Sequence, residues 1–186
     1  MAQPDFIALA PRPKGSALLN VVVETPGRSR NKFKFDPDRK LFQLDKILPA
    51  GAAFPYDFGF VPSTLGDDGD PLDVVVLADE PTFTGCVLTV RLLGVLEAKQ
   101  IEKGKTIRND RLIGMVETRK NPSDAQTLGD VPARLLREIE HFFISYNKAE
   151  GREFVPLRRG GPGVAATLIE AGIQRFKRSR KSKRGS

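Results

Sequence analysis

The chain has 186 residues, of which 40% are hydrophobic and 28% are charged, and its formal net charge at pH 7 is +7. This length allows one domain with a substantial core and leaves too little chain for two domains of ordinary size. The single cysteine, Cys86, excludes an intramolecular disulfide, and no apolar run reaches transmembrane length, so we expect a cytoplasmic protein without membrane contact.

The first segment, residues 1–16, combines prolines with Gly15 and shows no hydrophobic periodicity. This composition predicts a loosely ordered lead-in to a single domain over residues 17–174. The domain begins with β-rich segments that predict a meander of three strands, at residues 18–24, 32–35 and 41–44.

An aromatic, proline-punctuated segment follows at residues 54–62, and it predicts an irregular stretch laid over the core. Three further strands are predicted downstream, with a hairpin turn before the last of them. The predicted strands are residues 74–77, 87–96 and 111–116, and the predicted turn is residues 102–105.

Residues 67–73, here called the acidic turn, place four aspartates in seven residues directly before the run Val-Val-Val-Leu. Asp, Gly and Pro favour a turn and the valines favour a strand, so the carboxylates should converge at the rim of a sheet. Their mutual repulsion must be offset by divalent cations, which prefer carboxylate oxygen, or by protonation. A solvated loop without a metal would account equally well for Asp67 and Gly69.

Two amphipathic helices are predicted in the last third of the chain. Apolar residues recur at three- and four-residue intervals over 131–146, where Asp130 can cap the helix and Gly151 can end it. A second helix should run from about residue 164 to 176, after the Gly-Gly-Pro-Gly breaker at 160–163. Strands followed by two helices predict a mainly β fold of the α+β class, a barrel with helices outside.

The C-terminal residues carry an uneven share of the charge. Seven of the 30 lysines and arginines lie within residues 175–184, and the rest of the chain holds equal numbers of bases and acids. We therefore expect residues 175–186 to form a disordered basic tail that is solvated or makes nonspecific contact with polyanions.

The motif Asp-Gly-Asp-Pro-Leu-Asp-Val at residues 68–74 resembles the signature of the soluble family I inorganic pyrophosphatases. Other landmarks of that family occur in the same order over residues 18–157. The resemblance implies an OB-fold-type five-stranded β-barrel with two flanking C-terminal helices, and a homo-oligomer. The landmarks are Glu24-Thr25-Pro26, residues 29–33, residues 54–62, Gly94-Val95-Leu96, and Phe142-Phe143 ahead of Tyr146.

The resemblance also implies an activity, the Mg²⁺-dependent hydrolysis of pyrophosphate to two orthophosphates, and assigns roles to residues. Asp70 would orient or deprotonate the attacking water and contribute to metal binding. The other implied metal ligands are Asp68, Asp73 and the more peripheral Glu24, and the implied substrate-binding residues are Lys32, Lys46, Arg111 and Tyr146.

Several positions depart from the family pattern, and they cluster in the implied site. Neutral Gln100 and Asn109 align with metal-binding carboxylates, and Lys34 aligns with an acid. Asp110 follows Asn109 and would be a tentative further metal ligand if a bulge turned it to the same face. Two further departures, Lys46 for an arginine and Arg111 for a lysine, keep the positive charge. The others replace two tyrosines and a lysine, and they are Phe54, Phe58 and Asn147.

These departures leave ligands for fewer metal ions, so they predict a reduced or altered activity. They also leave two other functions open. One is a catalytically silent module that binds phosphate or a nucleotide, and the other is nucleic-acid binding through the barrel and the basic tail.

Overall fold

The computed structural model describes residues 4–118 and 124–184, and over these residues the chain forms nine strands and two α-helices. No helix in the described parts combines the length and the apolar character needed to cross a membrane. The first six strands are β1 (Leu19–Thr25), β2 (Asn31–Asp36), β3 (Leu41–Ile47), β4 (Asp57–Phe60), β5 (Asp73–Leu77) and β6 (Val87–Glu102). They are followed by β7 (Lys105–Arg108), β8 (Arg111–Val116), α1 (Ala133–Ala149), β9 (Glu153–Gly160) and α2 (Pro162–Arg184).

Five of the strands close into a ring, in the order β1, β4, β5, β8, β6 and back to β1. All the pairings are antiparallel except that of β5 with β8, which is parallel. Strands β2 and β3 form a separate hairpin, while β7 and β9 pair with the second half of β6. The ring and the two late helices confirm the predicted mainly β fold.

Strand β5 is buried on both faces, which explains why its sequence is continuously apolar rather than alternating. Val74 and Val76 pack in a cluster that includes the α2 residues Ile169 and Ile173. Val75 and Leu77 belong to a second cluster with α1. The strand that follows the acidic turn is therefore fixed from two sides.

Residues 54–62 are not wholly irregular as predicted, because they contain β4. The two prolines of the segment, Pro55 and Pro62, lie outside the strand and leave its hydrogen bonds intact. Gly59 permits the close approach to β1, since a Cβ at this position would lie 2.0 Å from the carbonyl oxygen of Val22.

The sequence prediction ended β6 at residue 96 and missed both strands that pair with its extension. The predicted turn at 102–105 is present, but it leads into β7 rather than directly into β8. In β9, Pro156 lies opposite Ala98, where the register of β6 shifts. A proline is tolerated at such an irregularity, yet in a sequence it argues against a strand.

Helix α1 begins later than predicted because Asp130 does not cap it. The Asp130 carboxylate accepts hydrogen bonds from the backbone N–H groups of Gln126 and Thr127, inside a 3-10 turn at Leu128–Asp130. The helix starts after Pro132, whose fixed φ suits the entry to a helix. Gly151 follows the end of the helix at φ 71°, as predicted for a C-terminal cap.

The prediction of a disordered tail is wrong for residues 175–184, because α2 continues to Arg184. Lysine and arginine are good helix formers, and they interact favourably with the C-terminal end of the helix dipole. Arg175 also anchors the helix to the chain just before the acidic turn: its Nε donates a hydrogen bond of 2.8 Å to the carbonyl oxygen of Leu65. Residues 185–186 lie outside the described residues.

The lead-in is more ordered than predicted. Residues Phe6–Ala8 form a 3-10 turn, and the Phe6 ring lies 5.4 Å from that of Phe35 and 5.2 Å from that of Phe42. These contacts attach the segment to the β2–β3 hairpin. Residues 1–3 of the predicted lead-in lie outside the described residues.

Candidate active site

A single pocket of about 820 Å³ brings together almost all of the residues singled out from the sequence. Its walls come from β1, the β2–β3 hairpin, the acidic turn, the start of β8, and both helices. The predicted site residues that line it are Glu24, Lys32, Lys46, Asp68, Asp70, Asp73, Arg111 and Tyr146. The departures from the family pattern line it too: Lys34, Phe54, Phe58, Gln100, Asn109 and Asn147.

Asp110 is the predicted residue that the structure does not bring to this pocket. Its Oδ1 accepts hydrogen bonds of 2.9 Å from the backbone N–H of Ala98 and 2.5 Å from Nε of Arg108. It lines a smaller neighbouring cavity instead. Consecutive residues of an extended chain face opposite sides, so Asn109 faces the pocket and Asp110 turns away.

The acidic turn holds its carboxylates in place through its own backbone. Gly69 adopts a φ of 88°, a conformation that favours glycine. The backbone N–H of Gly66 donates to the carbonyl oxygen of Asp70 over 2.7 Å, and the N–H of Asp70 donates to Oδ1 of Asp68 over 3.1 Å. Asp73 then begins β5 opposite Phe60 of β4, so the turn is fixed to the ring.

The carboxylates of the turn are close enough to disfavour one another's ionisation. Burial raises the pKa of Asp68 above its ordinary value, and the charge of Asp70 adds to this rise. Burial also raises the pKa of Asp73, with a further contribution from Asp68 and an opposing one from Arg111. Additional positive charge at this turn would therefore be stabilising.

Glu24 joins this cluster from β1 because it lies at a bulge. The register of β1 against β4 shifts between Val23 and Thr25, and such a shift redirects the side chain of the extra residue. Oε1 of Glu24 accepts a hydrogen bond of 2.7 Å from the backbone N–H of Phe35. Burial outweighs this bond and raises the pKa of Glu24 to about 7.

The raised pKa of Glu24 predicts a pH-dependent stability of the metal-free protein. Between its ordinary value of 4.5 and about 7, the folded chain binds more protons at Glu24 than the unfolded chain does. Stability should therefore fall as the pH rises through this range, by about 3 kcal/mol in total at about 1.4 kcal/mol per pH unit. In Glu24→Gln this loss should be absent, since glutamine keeps the hydrogen bond but does not ionise.

Urea unfolding at several pH values between 4.5 and 8, with a chelator present, measures this difference. Glu80→Gln is the matched control, because the Glu80 side chain is 79% exposed. It should follow the wild-type profile. If the stability of Glu24→Gln depended on pH in the same way as that of the wild type, Glu24 would not be the group responsible.

Arg111 is a buried cation held next to the acidic turn. Its Nη1 lies 2.8 Å from Oδ2 of Asp73 and also donates to the side chain of Asn109. Its guanidinium stacks near three aromatic rings, the nearest being Phe143 at 4.9 Å. Since the Arg111 side chain is only 6% exposed, its position is set by many contacts at once.

Lys34 is a second cation at the turn, and it is held far more loosely. Its Nζ lies 2.9 Å from Oδ2 of Asp70, and the Lys34 side chain is 49% exposed. Burial disfavours its charge, but the hydrogen bond to Asp70 and the nearby acids, Glu24 and Asp73 included, together raise the pKa of Lys34. Lys34 and Arg111 thus each neutralise one carboxylate of the acidic turn.

The other predicted cations, Lys32 and Lys46, lie near the ring of Tyr146. Lys32 Nζ is 5.6 Å and Lys46 Nζ is 5.7 Å from the centre of the tyrosine ring. Asp45 lies 3.5 Å from Lys32, and Glu150 pairs with Lys46. Both lysines therefore line the pocket from the β2–β3 hairpin as ion-paired cations.

Three buried polar atoms lack a hydrogen-bond partner in the described part of the chain, and all belong to residues of this pocket. They are Nε of Arg111, Oη of Tyr146 and Nε of Arg152. A buried donor without a partner is costly, so such atoms indicate a ligand that completes them. Sequence reasoning missed Arg152; the signal was a basic residue directly after the Gly151 that ends the predicted helix.

The pocket fits a divalent cation on one side only. Asp68, Asp70 and Asp73 offer oxygen ligands from one turn. Next to them, Nδ2 of Asn109 donates to Oε1 of Gln100 over 3.0 Å, so the adjoining wall is a neutral amide pair that adds no carboxylate ligand. As they stand, no three acidic, histidine or cysteine side chains within residues 4–118 and 124–184 are grouped closely enough to hold an ion.

Comparison with known proteins gives consistent matches across the chain. A family profile described as inorganic pyrophosphatase matches residues 21–177. The inorganic pyrophosphatase of Synechocystis sp. is 36% identical over 173 residues, which are 93% of this chain and 99% of that protein. That of Thermus thermophilus is 39% identical over 140 residues, 75% of this chain and 78% of that protein.

Solved structures of inorganic pyrophosphatases are also similar in fold to this chain over most of its length. The crystal structure of inorganic pyrophosphatase from Thermus thermophilus has a TM-score of 0.84 at 32% identity and covers 94% of this chain and 99% of that chain. The enzyme from Neisseria gonorrhoeae has a TM-score of 0.81 at 33% identity, with coverages of 91% and 96%.

Proposed function

This chain belongs to the inorganic pyrophosphatase family, and on that premise we propose how its pocket hydrolyses pyrophosphate to two orthophosphates. The observation that carries the proposal is the set of three buried atoms without partners in Arg111, Tyr146 and Arg152. Hydrogen bonds from cationic donors to phosphate oxygens are among the strongest in proteins. A diphosphate in the pocket would supply the acceptors that these donors lack.

The acidic turn would hold the divalent cation that this family requires, and we propose Mg²⁺. Asp68, Asp70 and Asp73 would bind it, with Glu24 farther out; this is supported by the preference of Mg²⁺ for carboxylate oxygen. When bound, Mg²⁺ neutralises phosphate charge and lowers the pKa of water.

The basic wall would bind the substrate. Lys32 and Lys46 would contact phosphate oxygens from the β2–β3 hairpin, and Tyr146 beside them would donate its unpartnered hydroxyl. Arg111 would contact the anion from the base of the pocket through its free Nε. Fixed donors of this kind stabilise charge that develops on the departing phosphate.

Asp70 would orient the attacking water and accept its proton. The water oxygen forms a bond to one phosphorus while the bridging P–O bond breaks, and the departing orthophosphate keeps the electron pair. The proposal is supported by the position of Asp70 on the acidic turn, where it lines the pocket.

We further propose that the enzyme acts in the cytoplasm and associates with itself. A single cysteine, whose thiol pKa is raised by burial, suits a reducing compartment. Exposed Leu44 and Ile47 on β3, at 52% and 61% exposure, supply apolar surface for contact between copies. Cell fractionation and sedimentation of the purified chain test these two proposals.

Phosphate release from pyrophosphate tests the central proposal. Purified protein with Mg²⁺ should release two phosphates for each pyrophosphate consumed, and excess chelator should abolish the reaction. Adding Mg²⁺ back beyond the chelator should restore it. Release that continues in chelator would contradict the role of the acidic turn.

A second candidate function, binding of a phosphate compound without turnover, is favoured by one observation. The Gln100–Asn109 amide pair leaves the wall next to the acidic turn without negative charge. This candidate predicts calorimetric binding of pyrophosphate with Mg²⁺ while no phosphate is released. The same two measurements therefore separate the candidates.

A further inference from the structure

Lys34 and Asp70 form an ion pair that lines the pocket and remains exposed to solvent. Its atoms are 2.9 Å apart, yet the two side chains remain 49% and 56% exposed. Exposed pairs of this kind contribute little to stability. The pair can therefore open at little cost.

Arg111, the cation paired with Asp73, has no such freedom. Arg111 is hydrogen-bonded to Asn109, ion-paired with Asp73 and packed against the Phe143 ring. To leave its place it would have to break these contacts together in a buried site. Of the two cations paired with pocket-lining carboxylates of the acidic turn, Lys34 is the one that can move.

Lys34 occupies a carboxylate oxygen that a divalent cation would also use. Its ammonium group lies within electrostatic range of Asp70, Glu24 and Asp73, the acids that converge on this side of the pocket. A divalent cation and the ammonium group repel each other at such short range. The two must therefore compete for Asp70.

We propose that Lys34 is a displaceable counter-ion: it neutralises Asp70 in the metal-free protein and moves to a phosphate oxygen when a divalent cation takes its place. The identity of the anion rests on the proposed function. Lys34 and the acidic turn line the same pocket. The flexible four-carbon stem of lysine therefore lets the ammonium group move from Asp70 to an anion bound in that pocket.

Exchange of this kind couples the metal to the anion. A bound cation releases Lys34 for the diphosphate, and a bound diphosphate draws Lys34 away from Asp70. By linkage, each ligand must strengthen the binding of the other by the same factor. Lys34 therefore makes metal binding depend on substrate.

Calorimetric titration of the full-length, metal-free protein with Mn²⁺ tests this coupling, with and without saturating methylenediphosphonate, a diphosphate analogue that water does not cleave. Without the analogue, K34Q should bind Mn²⁺ about tenfold more tightly than the wild type, since the competitor is gone. The gain in Mn²⁺ affinity on adding the analogue should be about tenfold smaller in K34Q than in the wild type.

K148Q is the matched control, because Lys148 is exposed on α1 and does not line the pocket. It removes the same charge and should behave as the wild type does. K34E should bind Mn²⁺ more tightly than K34Q, since it adds a carboxylate to the cluster. Thermal unfolding of each variant establishes that it is folded.

An unchanged or weaker Mn²⁺ affinity in K34Q without the analogue would overturn the proposal, as would an unchanged gain on adding it. Neither measurement requires turnover. If the protein releases no phosphate but shows the expected titrations, the proposed hydrolysis is refuted and the role of Lys34 as a counter-ion stands. If the enzyme is active but the K34Q titrations match those of the wild type, only the role of Lys34 as a counter-ion is refuted.

Discussion

Replacing Asp70 with asparagine should lower kcat for pyrophosphate hydrolysis by a factor of about 100 to 10,000, the range typical for loss of a positioned general base. Asparagine has a similar size, but it cannot take the proton of the attacking water. It also removes the charge that pairs with Lys34. Steady-state phosphate release at saturating Mg²⁺ and pyrophosphate measures the effect.

Asp67→Asn is the control for this substitution, since Asp67 belongs to the same turn but lies outside the main pocket. Its carboxylate faces Arg175 at 3.5 Å and is 53% exposed, so activity should change little. Calorimetry with Mn²⁺ separates loss of metal affinity from loss of proton transfer. Equal activity in Asp70→Asn and the wild type would remove Asp70 from the reaction.

Replacing Arg111 with methionine should lower the free energy of unfolding by about 3 to 5 kcal/mol, because it leaves the carboxylate of Asp73 without its buried partner. Methionine retains apolar contact with the surrounding rings, so lost packing is the smaller part. Burial already raises the pKa of Asp73, and losing Arg111 should raise it further. Because a raised pKa favours the protonated folded state, the destabilisation should shrink as the pH falls from 8 to 5.

Urea unfolding at both pH values checks this expectation. Adding Asp73→Asn to Arg111→Met should restore part of the lost stability, since no buried charge is then left unpaired. Arg134→Met is the matched control: its ion pair with Glu138 lies on the surface of α1, with the arginine 85% exposed. A similar loss in both single variants would show that the burial of Arg111 is not the cause.

Residues close together in the sequence gave the most accurate predictions. The acidic turn and the start of β5 follow from a single short motif, since Gly and Pro specify the turn and the valines specify a strand buried on both faces. The two ends of helix α1 were predicted with different accuracy. Gly151 ended α1 as expected, whereas the start was set by Pro132 rather than by the more obvious Asp130.

Features set by long-range pairing were harder to predict. The choice between Asn109 and Asp110 depended on the register of the chain leading into β8, which no local pattern records. Strand β9 was hidden by Pro156, which is tolerated only because β6 has an irregularity opposite it. The charge of residues 175–186 alone predicted a disordered tail, whereas Arg175 is hydrogen-bonded to Leu65 and the helix continues.

The parallel pairing of β5 with β8 has a consequence for how the protein folds. Val74 meets Leu112 across a long intervening stretch of chain, and the ring is completed only when β6 joins β1 as well. Contacts of this separation form late, because the chain must first lose the entropy of a large loop. Glu24, Asp73 and Arg111 come from three different strands of that ring, so the ion pair between Asp73 and Arg111 forms only once β5 has paired with β8.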